Sequence, residues 1–260
     1  MADRGLELGK ARILVTNDDG IQAPGLKVLE RIARSFSRDV WVVAPDSEQS
    51  AASHSLTLRR PLRMRKISAR RYSVDGTPTD CVLVAQRKIL ARKPADIVLS
   101  GINIGANLGE DISYSGTVAA AKEGASLGLP AIAFSQVRTP EGHVHWPTAE
   151  RFGMEVLRQL ARFAWRDGLL INVNFPPLPP EMVTGIRACY QGRRDAGVQL
   201  VDYSDPSGRP YVWIGDFTSH RSVEAGSDLV AIEEGAVTIT PLHLDMTHRP
   251  SMKLIREALG

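Results

Sequence analysis

A chain of 260 residues with 43% hydrophobic and 23% charged side chains can bury a full core, as one large domain or one domain with an appendage, and is neither disordered nor fibrous in composition. Its net charge of +3 and pI near 9.0 suit an anionic substrate without announcing a nucleic-acid binder. No apolar run approaches the roughly 18 residues of a membrane span, Met1 to Lys10 lacks an apolar signal core, and the distant Cys81 and Cys189 build no disulfide framework or zinc site, so a cytoplasmic protein without membrane or nucleic-acid partners is expected.

The first element is the strand Ile13 to Thr16, apolar on both faces as a buried parallel strand requires. It ends in Asn17-Asp18-Asp19-Gly20, and after Pro24 the residues Leu26, Leu29, Ile32, Ala33 and Phe36 recur at helical spacing. This is the first half of a βαβ unit, and ligands bind at the carboxyl ends of strands in open α/β sheets. Two adjacent carboxylates there repel each other and are costly to desolvate unless a positive charge sits between them. A divalent cation is the simplest complement.

Asp39 to Pro45 supplies the second strand, followed by the polar loop Asp46 to Ser55. Leu56 to Val74 reads as strands and turns carrying Arg59, Arg60, Arg63, Arg65, Lys66, Arg70 and Arg71 without an acid. Such a stretch is either a solvated, charge-protected sheet edge or a contact for a phosphate-rich ligand such as an oligonucleotide or polyphosphate. In Asp75 to Asp80, Thr77 is an N-cap candidate with Pro78 at the first helical position, and the alternative is a site-lining role for Gly76 to Asp80.

Asp96 to Ser100 is a further apolar strand, and the loop after it, Gly101 to Gly109, places a glycine at every fourth residue with Asn103 and Asn107 between. Glycine permits close backbone approach to a ligand. Tyr114-Ser115-Gly116-Thr117 opens an alanine-rich helix, either as an ordinary Ser115 cap or as an anion site built from free N–H groups and the helix dipole. Pro130 to Ser135 is a strand, Pro147 to Ala164 an amphipathic helix and Leu169 to Asn174 another strand.

Prolines 176, 177, 179 and 180 mark a change of composition, and strand-like pieces at Ile186 to Tyr190 and Tyr211 to Ile214 suggest a β-rich arm. Val237 to Pro241 returns as a strand and Pro250 to Leu259 as a helix. The fold class is α/β: a Rossmann-like three-layer αβα core with a mainly parallel sheet over 1–175, a β-rich arm over 176–236, and a returning strand with a terminal helix over 237–260.

Dinucleotide binding fits the fold class but fails locally, because Asp-Asp-Gly stands where the G-x-G-x-x-G glycines belong. A Walker A lysine motif and a G-x-S-x-G elbow are also absent. What remains is an oxygen-rich metal site at Asp18 and Asp19 suited to Mg²⁺, Mn²⁺ or Ca²⁺ rather than zinc, with a phosphate held by backbone amides.

Four ordered blocks sharpen this picture: Ile13 to Gly20 with Ala23-Pro24-Gly25; Val43-Ala44-Pro45 leading to Ser50 and Ser53 to Thr57; Gly76 to Val82; and Ser100 to Asn103 through Ser115-Gly116-Thr117. With them the chain resembles, along almost its whole length, the survival protein E (SurE) family of divalent-metal-dependent nucleotide phosphatases. The resemblance implies one cation per subunit held by Asp18, Asp19, Ser50 and Asn103, and a phosphate held by Asn107, Ser115, Gly116 and Thr117. It further implies that Asn17 and His54 line the site, with a purely structural place the alternative for His54, that Asp18 or Asp19 activates the nucleophile, and that the arm and terminal helix join subunits in a dimer or tetramer. The implied reaction is hydrolysis of nucleoside 5′- and 3′-monophosphates and short polyphosphate. A phosphatase with an aspartyl-phosphate intermediate, which needs a D-x-D motif absent here, and a nucleotide-binding regulator without turnover are the competing readings.

Overall fold

Strand β1 (Arg12–Thr16) buries both faces, with Ile13 and Val15 in one hydrophobic cluster and Leu14 in another. That two-sided burial is why its sequence is an uninterrupted apolar run. The computed structural model describes residues 5–194, 198–217 and 224–260. The strands that follow are β2 (Asp39–Pro45), β3 (Met64–Ser68), β4 (Arg71–Val74), β5 (Ile97–Ile104), β6 (Ala131–Gln136), β7 (Leu169–Phe175), β8 (Ile186–Ala188), β9 (Val198–Ser204), β10 (Pro210–Phe217) and β11 (Val237–His243).

Nine of them form one sheet of order β3-β4-β2-β1-β5-β6-β7-β11-β8, while β9 and β10 make a separate antiparallel ribbon. The stretch β4-β2-β1-β5-β6-β7 is parallel, and β3 and β11 pair antiparallel with β4 and β7. From β1 the chain builds outward through β2 to β4 and β3, then crosses to β5 on the other side of β1. This reversal is a topological switch point, which opens a crevice outside the carboxyl ends of β1 and β5.

Helices α1 (Pro24–Phe36), α2 (Pro78–Val84), α3 (Asp111–Tyr114), α4 (Gly116–Ser126), α5 (Trp146–Leu160), α6 (Asp228–Glu233) and α7 (Arg249–Leu259) complete the layers. On one face Leu26, Leu29 and Ile32 of α1 pack with Phe152, Val156 and Leu157 of α5; on the other, Val82 of α2 packs with Val118 and Ala121 of α4. The Thr77 cap is present as a reciprocal box, with Asp80 N–H donating to Thr77 Oγ1 at 3.1 Å and Thr77 N–H to Asp80 Oδ2 at 2.9 Å. Asp80 also accepts Thr57 N–H and Oγ1 at 3.0 and 2.6 Å, which ties the chain just after the polar loop to α2.

The arginine-rich stretch forms β3, an edge strand exposed along its length, and runs on into β4, and Arg60, Arg70 and Arg71 pair with Asp75, Asp39 and Glu30. Within the segment read as an arm, β8 joins the main sheet beside β11, and only β9 and β10 stand apart. The short helices α3 and α6 and the strand β9 have no counterpart in the sequence reading; a helix of four or six residues is too short to display a period. Cys81 and Cys189 are buried free thiols. Among the described residues, no helix is long and apolar enough to cross a membrane.

Candidate active site

The crevice at the switch point is a cavity of about 520 Å³. Asp18 and Asp19 enter it from the turn after β1, Ser50 from the loop after β2, Asn103 from the end of β5, Asn107 from the loop beyond, and Ser115 from the start of α4. Glu48, Asp111, Tyr114 and Arg138 complete the polar wall and were not singled out from the sequence. Arg138 follows β6, so its position at the end of a parallel strand was the available signal.

Asp18 is buried, and its Oδ1 accepts the Thr117 hydroxyl at 2.5 Å. Burial pushes its pKa up, and the hydroxyl and backbone N–H of Thr117 partly offset the rise. Thr117 at the helix start is therefore already engaged by a carboxylate of the chain itself. Gly116 makes this approach possible, because a Cβ there would stand 2.8 Å from the Cβ of Asp18. Ser115 caps α4, accepting Val118 N–H at 3.0 Å, and still faces the cavity.

The Asp19 carboxyl is pushed up to about 7 by burial and then by the neighbouring Asp18 charge, with the Ile104 N–H and Arg138 pulling the other way. Its Oδ2 is buried with no hydrogen-bond partner. A buried, unpartnered carboxylate oxygen beside a second carboxylate is a site that fits a cation. Among the described residues no group of three or more His, Cys, Asp or Glu side chains is placed to hold a metal; the lining residues that could offer oxygens to a cation include the acidic pair, the Ser50 hydroxyl and the Asn103 amide. All are hard oxygens, which suits Mg²⁺, Mn²⁺ or Ca²⁺. Ser50 Oγ donates to Glu48 Oε1 at 2.6 Å and Asn103 Nδ2 to the Gly105 carbonyl at 3.2 Å, leaving the Asn103 oxygen free of that bond.

Four residues expected at the site are absent from the cavity lining: Gly116 and Thr117, which stand against Asp18, and Asn17 and His54, which point elsewhere. Asn17 turns back to close its own loop, its Nδ2 donating to the Gly20 carbonyl at 3.0 Å. His54 is not among the lining residues; its Nε2 lies 3.1 Å from Glu123 Oε2 on α4, because Ser53 N–H and Oγ bond the Tyr114 and Ser113 carbonyls and turn the loop that way.

Residues 13–197 match the family described as Survival protein SurE. The chain is 56% identical over 247 residues to the 5′-nucleotidase SurE of Paramagnetospirillum magneticum, covering 95% of each, and 52% identical over 252 residues to that of Parvibaculum lavamentivorans, covering 96% of this chain and 91% of the relative. The crystal structure of the SurE protein from Aquifex aeolicus superposes with a TM-score of 0.83 at 41% identity, over 95% of this chain and 99% of that one. An aligned length of this extent, with the acidic turn at a parallel-sheet switch point, leads to one conclusion: the chain belongs to the survival protein SurE family.

Proposed function

We propose that this chain hydrolyses nucleoside 5′-monophosphates at the Asp18–Asp19 cavity, using one divalent cation. As a relative of proteins named 5′-nucleotidase SurE, it is a hydrolase acting on phosphomonoesters. The observation that carries the metal-dependent reading is the buried Asp19 Oδ2 without a partner, next to Asp18, in a cavity also lined by Ser115, Asn107 and Arg138.

Asp18, Asp19, Ser50 and Asn103 would hold the cation, which when bound supplies charge neutralisation at the phosphoryl oxygens and acidifies water. Ser115 and Asn107 offer donors to the remaining oxygens, and Arg138 offers a guanidinium at the exposed rim. One carboxylate orients the attacking water and takes its proton. Asp19 offers the unpartnered oxygen for this, its Oδ2, whereas Asp18 Oδ1 is held by Thr117. Nucleoside 3′-monophosphates, which are also phosphomonoesters, and short polyphosphates, whose terminal phosphoryl group leaves from an anhydride to the same attacking water, extend the substrate range.

Phosphate release from AMP is expected to stop in EDTA and to return with Mg²⁺ or Mn²⁺. Release that persists after exhaustive chelation overturns the metal dependence. No release from any nucleoside monophosphate in the presence of metal overturns the nucleotidase reading in favour of a binding regulator, and trapped phosphoenzyme after acid quench favours an aspartyl-phosphate route.

The chain also acts as a homo-oligomer in this reading. The ribbon of β9 and β10 leaves Leu200, Tyr203, Val212, Trp213 and Ile214 exposed, and α7 exposes Leu254, Ile255 and Leu259. A two-stranded ribbon is marginal alone in water, and large apolar side chains left exposed on such elements fit an interface. Sedimentation at micromolar chain concentration is expected to give a dimer or tetramer; a monomer would remove the reading.

A further inference from the structure

Asn107 is held at every backbone group by polar side chains from the sheet beneath it. Its N–H donates to Asn174 Oδ1 at 2.9 Å, and its carbonyl accepts Asn174 Nδ2 at 3.1 Å and Asn172 Nδ2 at 2.8 Å. Its own Nδ2 donates to Ser135 Oγ at 2.7 Å. A peptide N–H can only donate and a carbonyl can only accept, so the contacts themselves dictate how the two amides are turned. No apolar or ionised acidic side chain could serve both the N–H and the carbonyl of Asn107 as Asn174 does.

These residues are placed by strand geometry. Asn172 and Asn174 are two apart on β7 and so share a face, and Ser135 of β6 is the register partner of Asn174. All three are fully buried. On the same face Ala133 and Leu170 belong to the hydrophobic cluster under α4, where polar groups cost free energy unless paired. Their partner is a residue far away in sequence whose side chain lines the cavity.

We propose that Asn172, Asn174 and Ser135 are positioning residues that set where Asn107 meets the substrate phosphate. An amide nitrogen carries two hydrogens; with one held by Ser135, the other is the donor left for a phosphate oxygen. The three residues do not line the cavity, and they act through Asn107. The inference rests on the reading of Asn107 as a phosphate contact.

Inorganic phosphate, as a competitive inhibitor of AMP hydrolysis with Mn²⁺ present, is the probe. Asn174→Asp keeps the acceptor for the Asn107 N–H but sets an oxygen against its carbonyl; Ser135→Ala removes a single hydroxyl. The Ki for phosphate and the KM for AMP are expected to rise together, by about tenfold in Asn174→Asp and about threefold in Ser135→Ala, and Asn172→Asp should behave as Asn174→Asp does. A role confined to folding would lower Vmax with the active fraction and leave KM and Ki unchanged, and that result overturns the proposal. Should the aspartate variants fail to fold, Ser135→Ala decides alone. Asn107→Ala separates the two layers. A raised Ki there with unchanged Ki in the positioning variants overturns this proposal only, whereas unchanged Ki in Asn107→Ala overturns the reading on which it rests.

Discussion

Asp19→Asn is expected to lower kcat for AMP by at least about a thousandfold in saturating Mn²⁺. Three consequences of one substitution add up to that loss. The site loses half of the paired charge that would hold a cation, it loses the carboxylate oxygen that stands buried without a hydrogen-bond partner, and it loses the member of the pair that is not held by Thr117. Near wild-type turnover in the variant would sink the mechanism.

The same substitution is expected to stabilise the chelated protein, and the pH dependence gives the sign. The Asp19 carboxyl lies at about 7 in the folded chain against an ordinary value of 3.8. A pKa raised by folding means the folded state holds the proton more tightly, so the contribution to stability is complete below about pH 4 and is lost as pH rises through about 7. Asparagine has no such loss. In EDTA, the Tm advantage of Asp19→Asn should therefore grow between these limits and level off above them. A pH-independent difference would show that the pair carries no burial penalty.

Gly25→Ala is expected to cost at least about 3 kcal/mol in a urea titration and to remove activity from whatever folds. Gly25 is the second residue of α1, and a Cβ there would stand 1.9 Å from the Ile102 carbonyl oxygen and 3.0 Å from Trp146 Cη2. The carbonyl belongs to fully buried Ile102, at the irregularity between Ser100 and Asn103 where β5 runs on from its pairing with β1 toward the site, so yielding would move the packed end of the strand. Ile102 also immediately precedes Asn103, which couples the packing defect to the proposed metal site. Gly9→Ala, where a Cβ meets nothing within 4 Å, is the control and should change stability by less than about 0.5 kcal/mol. Equal effects at the two positions would show that the close approach of α1 to β5 is not a constraint.

The contrast between Gly25 and Gly9 also illustrates how far a sequence can be read. Both are single glycines in the chain, and only the neighbour across the fold distinguishes them. The Ala23-Pro24-Gly25 block carried the resemblance without revealing why glycine stands there. Likewise, the Ser115-Gly116-Thr117 turn was legible as a cap or an anion site, yet not that Thr117 answers Asp18. His54, read as a site residue, faces Glu123 because its loop is tied to the carbonyls of Ser113 and Tyr114.

By itself, the sequence determined the strand and helix alternation, the acidic turn after the first strand, the Thr77 cap and the family, because periodicity, capping and motif order are carried by residues close together in the chain. Tertiary structure alone decided that β1 lies beside β5, that Arg138 joins the cavity wall, and that Asn107 is seated on Asn172 and Asn174. The Asp18–Thr117 and Asn107–Asn172 contacts span 99 and 65 residues. Contacts at such separations exist only once strand order is set by which apolar faces bury against each other, and no local pattern records that choice.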